Sequence, residues 1–431
     1  MIKKLRLRNF KNFKDAELPL GPFTVLIGEN ASGKSNLRDA FRFLHGISME
    51  YSLADIFGEK RVGGSLQWQG IRGGTQEISF QGHRTFEIET DFERGEEDKN
   101  RVISYSIEVE PGKPGIRPRV VKENLRTDGT ILFQTRPLED DLLKKNSDVR
   151  VEIHGENKPN YFKTAEPILG QVSNYMRMPD DVGWVGELCN EAQFSLRNIR
   201  FFEFIPDAMR KPSFPGQVIL EDQGDNLSSV LQAIFDDEAR KRAVIEWLRE
   251  LTPMDAVDFE FISDQTGKIL VNLIEANGQK ISAYSASDGT LRFLGLLAAI
   301  FGPEVHLHHL TLITYPNPYA KFLFIEELEN GIHPSRLHLL VQLIEQQTRE
   351  KGIQVVATTH SPQLLRLLSQ DSLADAALLY RLPGSPEAHI KQFRDLPEES
   401  QQVLKEQDVA SLHESGWFED IMDFIEGEPV A

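Results

Sequence analysis

The chain has 431 residues and a single cysteine, Cys189. That excludes an internal disulfide and a cysteine-built metal centre, and it leaves Cys189 as a small core residue. No apolar run is long enough to cross a bilayer, so no membrane partner is expected. The opening residues, Met1-Ile2-Lys3-Lys4-Leu5-Arg6-Leu7-Arg8, alternate charged and apolar side chains. This is the pattern of a half-buried strand and lacks the continuous apolar segment of a secretory leader. A cytoplasmic location is the expectation. An excess of positive charge is missing too. The net charge of −18 argues against general adhesion to nucleic acid but leaves room for a local basic groove. Candidate basic clusters are Lys3-Lys4-Arg6-Arg8, Arg117-Arg119-Lys122-Arg126, Arg210-Lys211 and Arg240-Lys241-Arg242. Internal repeats and sustained heptads are absent, which excludes a solenoid and a long coiled coil.

What is present begins at Gly28. Residues 28–35 read G-E-N-A-S-G-K-S and fit G-x-x-x-x-G-K-[ST] in full. The apolar, β-branched run Phe23–Ile27 precedes them, and Leu37, Ala40, Phe41 and Leu44 recur afterwards at helical spacing. The loop therefore joins a strand to a helix N-terminus. Its glycines allow a tight bend that points successive N–H groups at one anion, and the helix end adds partial positive charge. Gly28, Asn30, Ser32, Gly33, Lys34, Ser35 and Asn36 are the candidate nucleotide-binding residues. Lys34 can reach the β and γ phosphates, and the Ser35 hydroxyl can ligate Mg²⁺.

From about residue 65 to 165 the pattern changes to period two, in Glu77–Phe80, Thr85–Thr90 and Val102–Glu110, as in an antiparallel sheet. Residues 166–252 read as mainly helical, 256–284 as strands, and 287–382 as alternating helix and strand. The expected arrangement is an α/β head built from 1–60 and 256–395. A large α+β insertion spans 61–255 (sheet at 65–165, helices at 166–252), and an acidic helical tail covers 396–431.

The later half supplies further ligands. Phe322–Ile325 is an apolar strand ending in Glu326-Glu327. Strand ends carry ligands in open α/β sheets. Glu326 can hold Mg²⁺, and Glu327 can orient or deprotonate an attacking water. Ser287-Asp288-Gly289-Thr290 opens an apolar helix and can form a second anion cradle, though the same residues make an ordinary helix cap. Gln354–Thr359 is another apolar strand, ending in His360, which can touch a phosphate oxygen. His306, His308 and His309 invite a metal reading that their spacing does not favour. Glu139-Asp140-Asp141 and Asp180-Asp181 read as surface loops.

Taken in order, these motifs resemble the ABC-type ATPase head of the SMC/RecF superfamily, and more closely the bacterial RecF-like and OLD-like AAA family ATPases. The resemblance is carried by Leu7–Phe13, the phosphate loop with Asn36, Ser287–Arg292, Ile325–Pro334 and Thr358–Pro362. It covers about half the chain. It implies a P-loop NTPase with ATP and Mg²⁺ as cofactors, and it assigns roles. Gly28–Ser35 is Walker A, Ser287–Thr290 with Gly289 the signature, Glu326 the Walker B acid, Glu327 the catalytic glutamate, Glu329–His333 the D-loop and His360 the switch histidine. It further implies a homodimer in which the signature acts in trans, and a role in DNA maintenance or anti-phage defence. DNA on a local basic surface and a separate effector protein are the candidate partners. Two residues depart from the pattern: Glu326 stands where Asp is commoner, and Asp288 replaces a glycine. Competing readings are a nuclease within the insertion, a transporter motor and a weakly hydrolysing scaffold. The roughly 70 residues after His360 are fewer than a Toprim nuclease domain needs.

Overall fold

Phe23–Ile27 is buried along its whole length. A strand covered on both faces belongs inside a sheet, between layers. In the computed structural model, which describes residues 1–93, 102–113, 115–136, 148–175, 183–303 and 321–417, it sits in a six-stranded sheet. The order is Ile199–Phe202, Phe322–Ile325, Gln354–Thr359, Phe23–Ile27, Ala377–Arg381 and Ala388–Gln392. The first five strands are parallel and the last is antiparallel. The three-histidine cluster, both acidic runs and the tail from Phe418 onward lie outside the described residues.

Alternation along these strands sends side chains to two cores. Leu26, Phe324 and Val356 join Phe41 and Leu44 of the helix Lys34–Ser48 on one face. Val25, Ile325 and Ala357 join the helices Leu227–Phe235, Asp288–Phe301 and Leu337–Lys351 on the other. The phosphate-loop helix is thus held between this sheet and a second, eight-stranded antiparallel one. That second sheet runs Asn160–Lys163, Asp148–Ile153, Thr130–Arg136, Arg119–Thr127, Val102–Glu110, Phe86–Glu93, Ile2–Phe10, Phe13–Pro19.

The boundaries expected at 61 and 255 do not follow this packing. The strands at 86–163 extend the sheet begun by the N-terminal hairpin, because a lone hairpin cannot bury its apolar face. Within the stretch read as helical, Ile199–Phe202 is the edge strand of the parallel sheet, paired Phe202 to Ile325. Glu77–Phe80, read as a strand, is instead a helical turn running into a 3-10 turn, with Gly73 and Gly74 at positive φ before it.

The outer face of the large sheet accounts for two basic clusters. Lys4 pairs with Asp91 at 3.2 Å, Arg6 with Asp15 at 3.0 Å and Arg8 with Glu87 at 2.6 Å. Arg119 meets Glu110 at 2.7 Å, Lys122 meets Glu108 at 3.3 Å and Arg126 meets Glu89 at 3.2 Å. Such pairs add little stability, but they cancel the positive field. Arg210 is likewise matched by Asp207 and Asp288, Arg240 by Asp237 and Lys241 by Asp258.

One buried carboxylate ties the large sheet to the helices beside it. Glu123 accepts hydrogen bonds from the Ile168 and Leu169 N–H groups, both at 2.7 Å, and from the Tyr105 hydroxyl at 2.9 Å. It therefore caps the helix Ile168–Tyr175. Burial pushes its carboxyl up to about 7, against the three donors that favour the ionised form. A carboxyl raised on folding lends stability that is complete below its unfolded value and is lost as pH rises through the folded one. Glu123→Gln should cost about 1–3 kcal/mol by misaligning a donor with the helix N–H groups. It should also flatten the fall in stability between pH 5 and 8. Urea denaturation across that range, read by circular dichroism, checks both.

Candidate functional site

Parallel pairing sets the site. Ile27 lies opposite Thr359, and Ile325 opposite Ala357, so three strands end at one edge of the sheet. Gly28, Glu326 and His360 follow those ends in the chain.

The loop after Ile27 depends on glycine at two places. A Cβ on Gly28 would lie 2.2 Å from the Leu379 carbonyl oxygen, and Gly33 has φ +117° with Phe13 packed against it. Lys34 is buried and donates to the Gly28 and Glu29 carbonyls, the latter at 2.8 Å. Burial lowers its ammonium to about 8, opposed by the charges of Glu327, Glu329 and Glu29. Those opposing charges place the loop lysine and the strand-end acids in one electrostatic neighbourhood. Ser32 is buried with no partner for its hydroxyl, an orphaned donor that an anion in the loop would satisfy. Asn30 is exposed at the loop's tip. Asn36 donates to Asn12 at 2.7 Å, bridging the loop helix to the turn after the first strand. Behind it, buried Asp39 pairs with Lys11 at 2.8 Å and Arg72 at 3.0 Å. Asn12, Asn36, Phe80, Gln81 and Arg381 help line a cleft of about 330 Å³ beside the helix.

The acids leave the second strand in different directions. Glu326 is largely buried and paired with Arg38 at 3.0 Å. Burial raises its carboxyl above the ordinary value, Arg38 opposes, and Glu203 adds to the rise. Glu327 is exposed and has φ +48°, a left-handed conformation that costs a non-glycine residue about 1 kcal/mol or more. It is pinned there: its N–H donates to the Thr358 hydroxyl at 2.9 Å, and Asn330 donates to its carboxylate at 2.9 Å. Glu329 accepts from the His360 N–H at 2.9 Å, linking the acidic turn to the third strand end. The site thus gathers Lys34, Glu326, Glu327 and His360 from elements far apart in sequence.

Ser287 and Gly289 lie at the start of the helix Asp288–Phe301, against the Gly331 end of the acidic turn. Ser287 is exposed, and its hydroxyl accepts from the Thr290 N–H at 3.1 Å, the ordinary cap of the helix Asp288–Phe301. A Cβ on Gly289 would lie 2.5 Å from the Gly331 carbonyl oxygen. The helix N-terminus therefore rests on the turn that follows Glu329. Arg38, Asp39, Arg72 and Thr358 were given no role in the sequence reading; only Thr358, in the polar end of an apolar strand, carried a local signal.

Ser35 and Glu326 offer oxygen donors suited to Mg²⁺, which keeps water and phosphate in its shell instead of requiring a protein cage. Among the described residues no group of three or more His, Cys, Asp or Glu is arranged to hold a metal without such help.

A family described as "AAA domain, putative AbiEii toxin, Type IV TA system" matches residues 23–366. An "ATP/GTP phosphatase" of Helicobacter pylori is 22% identical over 379 residues, 86% of this chain and 88% of that protein. The "DNA replication and repair protein RecF" of Brucella abortus is 54% identical over 44 residues, 10% of this chain and 12% of that one. Among solved structures, an SMC head bound to the C-winged helix domain of ScpA aligns at TM-score 0.50 and 14% identity, covering 93% of this chain and 99% of that one. This likeness shows a shared fold. The chain belongs to this AAA family, and it is an SMC/RecF-like ATPase head.

Proposed function

We propose that the chain hydrolyses ATP at the Lys34–Glu327 site and that two copies close on two nucleotides. The observation that carries this reading is the convergence of three strand ends, beside which the start of the helix Asp288–Phe301 faces solvent. Lys34, Glu326, Glu327 and His360 converge at the strand ends, while Ser287 faces solvent and bonds only within its own helix. A partner copy can bring its own solvent-facing Ser287 to a γ-phosphate already wrapped by the loop. Large apolar side chains are exposed in the segment that leads to this helix and in the one that follows its ion-pair partner Arg210. Tyr284, three residues before Ser287, is 59% exposed; Phe214, four residues after Arg210, is 58% exposed. Arg210 itself donates to the Ala286 carbonyl and to Asp288.

In this reading the loop N–H groups and Lys34 bind the triphosphate, and the base takes the cleft beside Asn36. Ser35 and Glu326 would hold Mg²⁺, which neutralises charge on the phosphates when bound. Glu327, exposed and fixed by Thr358 and Asn330, orients the attacking water and takes its proton. His360 reports on the γ-phosphate and passes that information to the acidic turn through Glu329. Because each nucleotide adds contacts across the closed interface, its hydrolysis weakens the dimer.

We place the switch in DNA maintenance or anti-phage defence, where it senses DNA or gates a separate effector; the RecF likeness supports the first. The pairing of the basic clusters with acids shifts the weight toward a protein partner.

Lys34→Ala should abolish ATP binding, as measured by fluorescent-analogue titration. Glu327→Gln should bind ATP, lose roughly 10²–10⁴-fold in turnover, and accumulate a dimer in light scattering with ATP and Mg²⁺. A monomer under those conditions would refute closure between copies. Ser287→Arg should bind ATP as a monomer with nearly wild-type affinity yet never dimerise. Equal loss of binding in that variant would place Ser287 in its own chain's site instead.

A further inference from the structure

We propose that Arg38 is a positioning residue for the metal-binding carboxylate: its guanidinium holds Glu326 in place and yields it to an incoming divalent ion by turning to Glu203. The proposal rests on the ATPase reading above. Arg38 lies one helical turn after Ser35, so the two side chains share a flank of the helix Lys34–Ser48. One guanidinium nitrogen reaches both acids, Glu326 at 3.0 Å and Glu203 at 3.3 Å. The two acids differ in setting. Arg38 and Glu326 side chains are 14% and 15% exposed, whereas Glu203 is 54% exposed.

Glu203 follows the edge strand Ile199–Phe202, whose neighbour is the strand that ends at Glu326. The guanidinium therefore spans the loop helix and two adjacent strand ends. A buried carboxylate left without a cation is strongly unfavourable, and Arg38 meets that need. A divalent ion binding between Ser35 and Glu326 needs the same carboxylate. Two cations cannot share it cheaply at such range. Glu203 gives Arg38 a second partner close by, so exchange does not strand the arginine. The charges facing Glu326 are Arg38, Arg72, Glu203 and Asp39. Arg72 is already engaged by Asp39, and Arg42, the next residue on this flank, by Asp222 at 3.1 Å. Arg38 is thus the cation set to move. Metal entry becomes an exchange reaction, and Arg38 tunes the divalent-ion concentration at which nucleotide is held productively.

The test uses Mn²⁺ as a paramagnetic probe with the β,γ-imido analogue of ATP. Free Mn²⁺ is followed by electron paramagnetic resonance for wild type, Arg38→Gln, Arg38→Lys and Glu203→Gln. Removing the competing charge should tighten Mn²⁺ binding about 5–10-fold in Arg38→Gln, on the order of one screened charge interaction. Arg38→Lys should stay near wild type. Glu203→Gln should weaken Mn²⁺, because Arg38 then loses its alternative partner. A merely structural ion pair would change thermal stability and leave these affinities alone. If Arg38→Gln still binds the analogue but holds Mn²⁺ no more tightly than wild type, the role given to Arg38 is overturned. If wild type binds the analogue but no Mn²⁺, the metal site itself is wrong and this proposal falls with it.

Discussion

Gln354–Thr359 pairs in parallel with Phe23–Ile27 on one side and Phe322–Ile325 on the other. Everything chemical in the molecule depends on that shared register. Parallel strands must return by crossovers, so each strand end emerges at the same edge, and successive ends carry different residues to it. A slip of one residue would turn Val25, Ile325 and Ala357 away from the helices they cover and would move every site residue off the edge. The two cores on opposite faces of the sheet make such a slip prohibitively costly. The stability of the fold and the geometry of the site are therefore one constraint.

The parts legible in the sequence are those whose chemistry is contiguous. The loop 28–35, the acids after Ile325 and the histidine after Thr359 each follow an apolar strand, and the local pattern names both strand and ligand. The signature residues were legible as a helix cap, which is the bond the Ser287 hydroxyl makes. Ile199–Phe202 was not legible, since four residues between helices carry too little periodicity to declare a strand. Glu77–Phe80 misled because alternation over four residues does not outweigh two glycines before it. The partition at residue 61 misled for a different reason. A change of period marks a change of secondary structure, and nothing in it says whether the new strands join an existing sheet.

Other features could not have been read from one sequence at all. Arg38 meets Glu326 across 288 positions of chain. Buried Asp39, on a helix, is paired by Lys11 from a turn and by the exposed Arg72 from a loop. Glu123 caps a helix that begins 45 residues later. Each is a charge whose partner is chosen by the fold, so its local sequence is that of any surface arginine or acid. The same holds for the basic clusters. Lys4, Arg6 and Arg8 look like a nucleic-acid patch until the neighbouring strands supply Asp91, Asp15 and Glu87 opposite them.

Electrostatics tie these observations together. Glu326, Glu327 and Glu329 follow one strand within four residues, and their mutual repulsion opposes gathering them beside a buried lysine. The chain meets that difficulty with a separate device for each acid. Arg38 neutralises Glu326, the Thr358 hydroxyl and Asn330 hold Glu327 in a left-handed bend, and the His360 N–H takes one oxygen of Glu329. These partners come from the loop helix, the acidic turn itself and the third strand with its end. An incoming triphosphate adds more negative charge to the same place, so it can stay only with a cation that relieves what the protein groups now relieve. On the proposed reading, nucleotide and its metal compete with Arg38 for Glu326. The acidic turn also carries Gly331, whose carbonyl oxygen packs against Gly289, so the candidate site and the helix that begins at Ser287 are in direct contact.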